Sequence, residues 1–393
     1  MKPLDLTALA GSAAALTLLL AGCGSSDTSS TGANGDTKAD GPIAVDAGDK
    51  KCGVATTDLP AGRHTFKVTS SSSQVTEVYV YADGDRIVGE VENIGPATSR
   101  DLIVDLPAGT YEVTCKPGMV GNGIRTKIAV TGAEAPAQTL DQNLQAAVDS
   151  YRTYVETETR ALIDTTKTFT DAIAAGDLDA AKTAYPTARL HYERIEPIAE
   201  SFGDLDPLID MRIDDATDGT PFVGFHALEQ LLFEKGTLDG AKPLASALTT
   251  NVAKLAELVK TVEFTPLVMG NGAKSLLDEV AKSKVTGEEE RYSRIDLVDF
   301  AGNVDGAKYV YTALRPALEE KNPKLVATLD QRFPALISLL DTHLATKGSD
   351  GFIPGSPYVS YDALTPEDVK ALAVEVDAIS EPLGQISGVV AAQ

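Results

Sequence analysis

Four histidines occur in the 393-residue chain, so each marks a place where imidazole chemistry is available. His226 stands in Gly224-Phe225-His226-Ala227-Leu228-Glu229, three positions ahead of Glu229. On a helix, residues i and i+3 share a face. Imidazole and carboxylate together suit iron or zinc. Bundle metal sites use Glu-x-x-His spacing of this kind, here in reversed order. Two side chains hold a metal weakly, so neighbouring helices must supply more. One supply is His191-Tyr192-Glu193-Arg194-Ile195-Glu196-Pro197, with Glu200 continuing the stripe. Another is Asp210-Met211-Arg212-Ile213-Asp214-Asp215, where Asp210 and Asp214 would lie one helical turn apart; Glu156 and Glu158 are further candidates. Carboxylates buried on facing helices repel one another unless a cation sits between them. Without burial, the same residues would be ordinary solvated charge stripes.

The chain has three cysteines. Cys23 closes Leu20-Ala21-Gly22-Cys23 after an apolar run from Leu6, which reads as a secretory signal. The run is shorter than the ~20 residues a membrane-spanning helix needs. The Leu-Ala-Gly-Cys ending resembles the bacterial lipobox, which implies acylation of Cys23 and an extracytoplasmic, lipid-anchored protein. Outside the membrane, Cys52 and Cys115 are then an isolated pair, which forms a disulfide more often than a metal site. A second metal site using Cys52, Cys115, Glu77, Glu90 and Met119 stays open. A blue-copper centre needs two histidines beside its cysteine, and His64 is the only one in this region.

These residues need positioning elements. Segments 65–68, 75–81, 86–91, 102–106, 111–115 and 126–130 alternate or are β-branched, with Gly and Pro between them, as in a β-sandwich. Beyond 132–136, which reads as a linker, the spacing becomes helical. Helices are expected near 140–174, 180–202, 222–235, 241–262, 265–283, 295–319, 323–346 and 366–388, forming a bundle, with a Gly/Pro/Tyr loop at 348–366. Net charge is −23, which argues against nucleic acid and anionic membrane surface as partners. The sequence contains no His-Glu-x-x-His zinc-peptidase motif and no Gly-x-Ser-x-Gly elbow.

Gly224 to Glu229 resembles the Gly-x-His-x-x-Glu signature of imelysin-like proteins. Residues 192–200, Asp204-Leu205-Asp206, Ile209-Asp210, 299–304 and Tyr361-Asp362-Ala363-Leu364-Thr365 are similar to the EfeO-type iron-uptake lipoproteins, over roughly 138–383. Lys51-Cys52, 90–94 and 111–115 resemble the cupredoxin-like domain of the longer members. The residues themselves give a signal peptide and lipobox at 1–23 and, from a Ser/Thr/Gly/Asp-rich composition with little to bury, a disordered tether at 24–48. With the resemblance, the chain is multidomain α and β, a cupredoxin-like β-sandwich at 49–131 followed by an all-α imelysin-like helical bundle at 138–390. The resemblance implies His226 and Glu229 as metal ligands, supplemented by Glu193, Glu196 and Asp214, with iron as the metal and zinc or copper as alternatives. It also implies a membrane iron permease and a secreted haem peroxidase as partners, and binding in place of catalysis. The competing expectations are a metal-dependent peptidase, which the imelysin name suggests, and a polysaccharide-binding surface lipoprotein using Tyr358 and Tyr361.

Overall fold

The computed structural model describes residues 41–133, 139–214, 216, 220–282 and 284–392. Cys23, most of the expected tether and residues 134–136 of the expected linker lie outside them.

The β-domain holds β1 (Ile43–Gly48), β2 (Lys51–Val54), β3 (Asp58–Pro60), β4 (Gly62–Ser70), β5 (Thr76–Tyr81), β6 (Ile87–Ile94), β7 (Ser99–Leu106), β8 (Gly109–Pro117) and β9 (Ile124–Thr131). They form a four-stranded sheet in the order β2-β1-β4-β7 and a five-stranded sheet in the order β3-β9-β8-β5-β6. The β1/β4 and β3/β9 pairs are parallel. Apolar residues of period two, such as Phe66, Val68, Leu102, Val104, Val78, Val80 and Val113, fill the space between the sheets. The tether expected to reach residue 48 ends earlier. Ile43, Val45 and Ala47 alternate inward, so this stretch buries enough apolar surface to pair as β1.

Cys52 on β2 and Cys115 on β8 form a disulfide that joins the two sheets. Cys115 pairs with Val78, and both side chains enter the core. Glu77 and Glu90 stand on the other face, since Glu77 neighbours Val78 and Glu90 pairs with Tyr79. Alternation therefore separates the sulfurs from these carboxylates. The structure does not assemble the second site expected from Cys52, Cys115, Glu77, Glu90 and Met119.

The helical domain begins with α1 (Gln142–Ala175), whose N-terminal amide at Leu144 donates to the Asp141 carboxylate at 2.8 Å. Gly176 ends it in the left-handed conformation, and Asp177 caps α2 (Leu178–Ile195). Pro197 removes a helical donor, so α2 stops seven residues before its expected end and tightens into a 3-10 stretch, Glu196–Leu205. Next come the short α3 (Asp206–Asp210), then α4 (Gly224–Glu229), which runs into a π turn at Gln230–Glu234. The remaining helices are α5 (Ala241–Val259), α6 (Pro266–Lys282), α7 (Asp296–Lys321), α8 (Pro323–Asp341) and α9 (Pro366–Ala391). At the start of helix α7 the residues are buried on every side: Asp296, Leu297, Val298, Asp299, Phe300, Gly302, Asn303 and Val304 all lie inside, and Asp305 is the first exposed one. The helix forms the middle of the bundle and packs on α1, α2, α6 and α8. No helix among the described residues is long and apolar enough to cross a membrane.

Candidate metal centre

Helices α2, α3, α4 and α7, together with the irregular segment 284–294, converge on one buried group of charges. Helix α2 contributes Arg189 and Glu193 one turn apart, and Glu196 follows at the start of the 3-10 stretch. Asp210 is the last residue of α3, while α4 supplies His226 and Glu229. The segment between α6 and α7 supplies Lys284, Glu289 and Glu290, and α7 supplies Asp299 and Asn303.

Two glycines make this convergence possible. Gly224 has φ +79, and a Cβ there would meet the Ile209 carbonyl oxygen at 2.2 Å. Only glycine lets α4 begin against the end of α3, which sets His226 beside Asp210. On α7, a Cβ at Gly302 would lie 2.6 Å from Glu193 Cβ. Its absence lets α7 press on α2, placing Asp299 and Asn303 against Arg189 and Glu193.

His226 is 2% exposed and has a carboxylate pair on each ring nitrogen. Nδ1 is 3.2 Å from Glu229 Oε2 and 3.9 Å from Glu290 Oε1. Nε2 lies 3.5 Å from Asp210 Oδ1 and 3.7 Å from Glu289 Oε1, and makes no hydrogen bond among the described residues. The second oxygen of Glu229 accepts the backbone N–H groups of Tyr292 and Ser293, both at 2.7 Å. Glu229 thus ties His226 to the 284–294 segment. Glu290 accepts from Tyr185 at 3.0 Å and from Ser293.

Two buried cations share the remaining carboxylates. The Arg189 guanidinium contacts Glu193 and Asp210, and lies 2.9 Å from Glu290 and 3.1 Å from Asp299. Lys284 Nζ is 2.6 Å from Glu193 and 2.9 Å from Glu196. Asn303 donates to both of those glutamates. Burial lifts Glu290, Asp299 and Glu196 well above the usual carboxylate range, with neighbouring carboxylates adding to the effect. Glu289 is also raised by burial, but Lys284, His226 and Arg212 outweigh this and hold it well below that range. Burial pushes the His226 imidazole down, yet its pairing with Glu229 and Glu289 wins and carries it up to about 10.

Three sets of side chains have ligand atoms within 4.8 Å of one another: Asp210/His226/Glu289, His226/Glu229/Glu290 and Glu193/Glu289/Asp299. The expected residues His226, Glu229 and Glu193 fall in these sets, whereas Glu196 is in none of them and joins the group through Lys284 and Asn303. Asp214 does neither. Helix α3 ends at Asp210, and Met211 turns extended at ψ 125, so Asp214 leaves the face that Asp210 occupies. It is exposed and pairs with Arg291. His191 also stays apart, with Nδ1 2.7 Å from Glu158 on α1. Sequence reasoning passed over Glu289 and Glu290. Their only signal is the acidic run Glu288-Glu289-Glu290 after Gly287, in a segment without periodicity.

A β-sandwich ahead of an all-α bundle with a buried histidine–carboxylate centre defines a class. The imelysin family profile matches residues 147–386, and the cupredoxin-like domain profile matches residues 12–130. The chain is 40% identical over 354 residues to the iron uptake system component EfeO of Escherichia coli strain K12, covering 88% of this chain and 91% of that one. The same figures hold for the EfeO components of Shigella flexneri and Escherichia coli O157:H7. The chain belongs to the imelysin family, as an EfeO-type protein with a cupredoxin-like domain ahead of its imelysin domain.

Proposed function

We propose that this protein is the metal-capturing component of an iron uptake system and binds iron through Asp210, Glu289 and the Nε2 atom of His226. The observation that carries this is His226 Nε2 itself. It is a buried nitrogen with no hydrogen bond among the described residues, facing two carboxylates at 3.5 and 3.7 Å. A cation there would take up a lone pair and two negative charges together. Imidazole with carboxylates suits iron and zinc better than copper(I). In this reading Glu229 orients the ring from Nδ1, the usual place of a carboxylate behind a metal-bound histidine. The naming of the relatives as iron uptake components favours iron as cargo.

The chain would work outside the cytoplasmic membrane, anchored by a lipid on Cys23, and pass iron to a membrane permease. A secreted haem peroxidase would belong to the same system. Capture is a better reading than peptide hydrolysis despite the peptidase label that imelysins carry. A metallopeptidase keeps a coordination position open to its substrate, whereas His226 and Glu289 are 2% and 4% exposed. The test is anaerobic calorimetric titration of the chain from residue 24 with ferrous iron and zinc, beside His226→Ala. Loss of high-affinity binding in the variant is expected. An equally tight variant would remove the centre from His226.

A further inference from the structure

The oxygens that face His226 also face a positive charge. Asp210 Oδ1, 3.5 Å from His226 Nε2, is the atom that Arg189 Nη1 contacts. Glu289 Oε1, 3.7 Å from Nε2, lies 3.8 Å from Arg189 Nη2. On the other side of the ring, Glu290 Oε1 is 3.9 Å from Nδ1 and 2.9 Å from Arg189 Nε. Arg189 therefore meets both carboxylates assigned to the cation, through the same oxygens that face the imidazole. It is also held in place. The side chain is fully buried, and Nη2 contacts Glu193 and lies 3.1 Å from Asp299. The guanidinium carbon sits 5.3 Å from the centre of the Phe225 ring, within the range of a cation–π contact. A guanidinium does not lose its proton in a protein. Its charge thus stays beside any ion bound at Nε2.

Like charges repel in proportion to the product of the two charges. A fixed guanidinium among the ligands therefore weakens a trivalent ion more than a divalent one. We propose that Arg189 is a specificity-determining residue of the His226 centre, a fixed cation that shares Asp210 and Glu289 with the bound metal and discriminates against trivalent ions in favour of divalent ones. Carboxylates alone attract the higher charge more strongly. Arg189 counters that preference without changing a ligand. This inference rests on the His226 centre being a cation site.

The test compares two redox-inert ions, zinc(II) and gallium(III), each delivered from a nitrilotriacetate buffer that fixes the free ion. They are titrated into the chain from residue 24 as parent, Arg189→Met, Arg189→Gln, Arg189→Lys and His226→Ala. The readout is the ratio of gallium to zinc affinity. Comparing that ratio between chains cancels the hydration of each ion, and ligands that are merely misplaced weaken both. Both neutral variants should raise the ratio at least about tenfold, and Arg189→Lys, which keeps the charge, should hold it near the parent's. Leaving buried carboxylates without their cation destabilises a fold, so the neutral variants are refolded and titrated with metal present. An unchanged ratio in both neutral variants would overturn the proposal, as would a lysine variant that shifts it as far as they do. Neutral variants that fold with neither ion would assign Arg189 to the fold alone and overturn it too. If the parent binds neither ion, or His226→Ala binds both as the parent does, the reading of the centre itself fails, and this inference with it.

Discussion

Replacing Glu229 in two ways separates its role at the metal from its role in the fold. Its Oε1 atom accepts two backbone N–H groups, from Tyr292 and Ser293, each at 2.7 Å. Glu229→Ala strips both donors of their acceptor. Hydrogen bonds to a charged group contribute about 1.5–3 kcal/mol each, so the alanine variant should lose on the order of 4 kcal/mol. Glu229→Gln keeps a carbonyl oxygen for those donors and removes only the charge, at a cost of about 1–2 kcal/mol. Urea denaturation of the metal-free chain reads both values. In metal titrations, the two Glu229 variants should weaken binding about 10- to 100-fold, as loss of an orienting carboxylate does. Asp210→Asn and Glu289→Gln remove groups that face Nε2, and should weaken it more. A glutamine variant as unstable as the alanine one would refute the anchoring argument. A Glu229→Gln variant that loses the metal more completely than Asp210→Asn would move the cation to the Nδ1 side, with Glu229 and Glu290 as its ligands.

Other consequences are open to direct measurement. Folding raises the His226 pKa from the ordinary 6.5 to about 10, so its contribution to stability is complete below pH 6.5 and lost as the pH rises through about 10. The same proton must leave before Nε2 can bind a metal, so metal affinity should climb about tenfold per pH unit between pH 7 and 9; a flat profile in calorimetry would place the cation elsewhere. Gly224→Ala forces a Cβ onto the Ile209 carbonyl and should cost more than about 2 kcal/mol, with weaker metal binding, because α4 must back away from Asp210. Breaking the Cys52–Cys115 bridge opens a loop of 63 residues in the unfolded chain and should cost on the order of 4 kcal/mol by chain entropy. The bundle's metal stoichiometry should not change. Cys23→Ser should shift the protein from the membrane fraction to the soluble fraction on cell fractionation; unchanged partition would argue against a lipid anchor.

The fold was legible wherever burial repeats with a fixed period. Alternation locates β4 to β9, and helical spacing with Gly176-Asp177 locates α1 and the start of α2. Strand β1 was missed because it follows a stretch of Ser, Gly and Asp with no such pattern, and its pairing to β4 is long-range. The centre was half legible. His226, Glu229 and Glu193 lie on helices, where spacing predicts which residues share a face. The Asp214 expectation failed because it extended a helix past Asp210, where the backbone turns away. Glu289, Glu290 and Lys284 occupy a segment between helices, and only tertiary packing tells where such a segment points. Arg189 is a basic residue in a helical charge stripe, and sequence gives no reason to expect it at 0% exposure among acids.

The enclosure of His226 has a kinetic consequence. At 2% exposure no hydrated ion reaches Nε2 without a local opening. The observed association rate is then the intrinsic rate multiplied by the fraction of open molecules. It should level off at high metal concentration, at the opening rate itself. Release obeys the same limit, so a loaded chain on its own would lose iron slowly. A partner that binds the open form more tightly than the closed one shifts that population and speeds unloading. Delivery would then be timed by the encounter with the acceptor, without any change in the ligands.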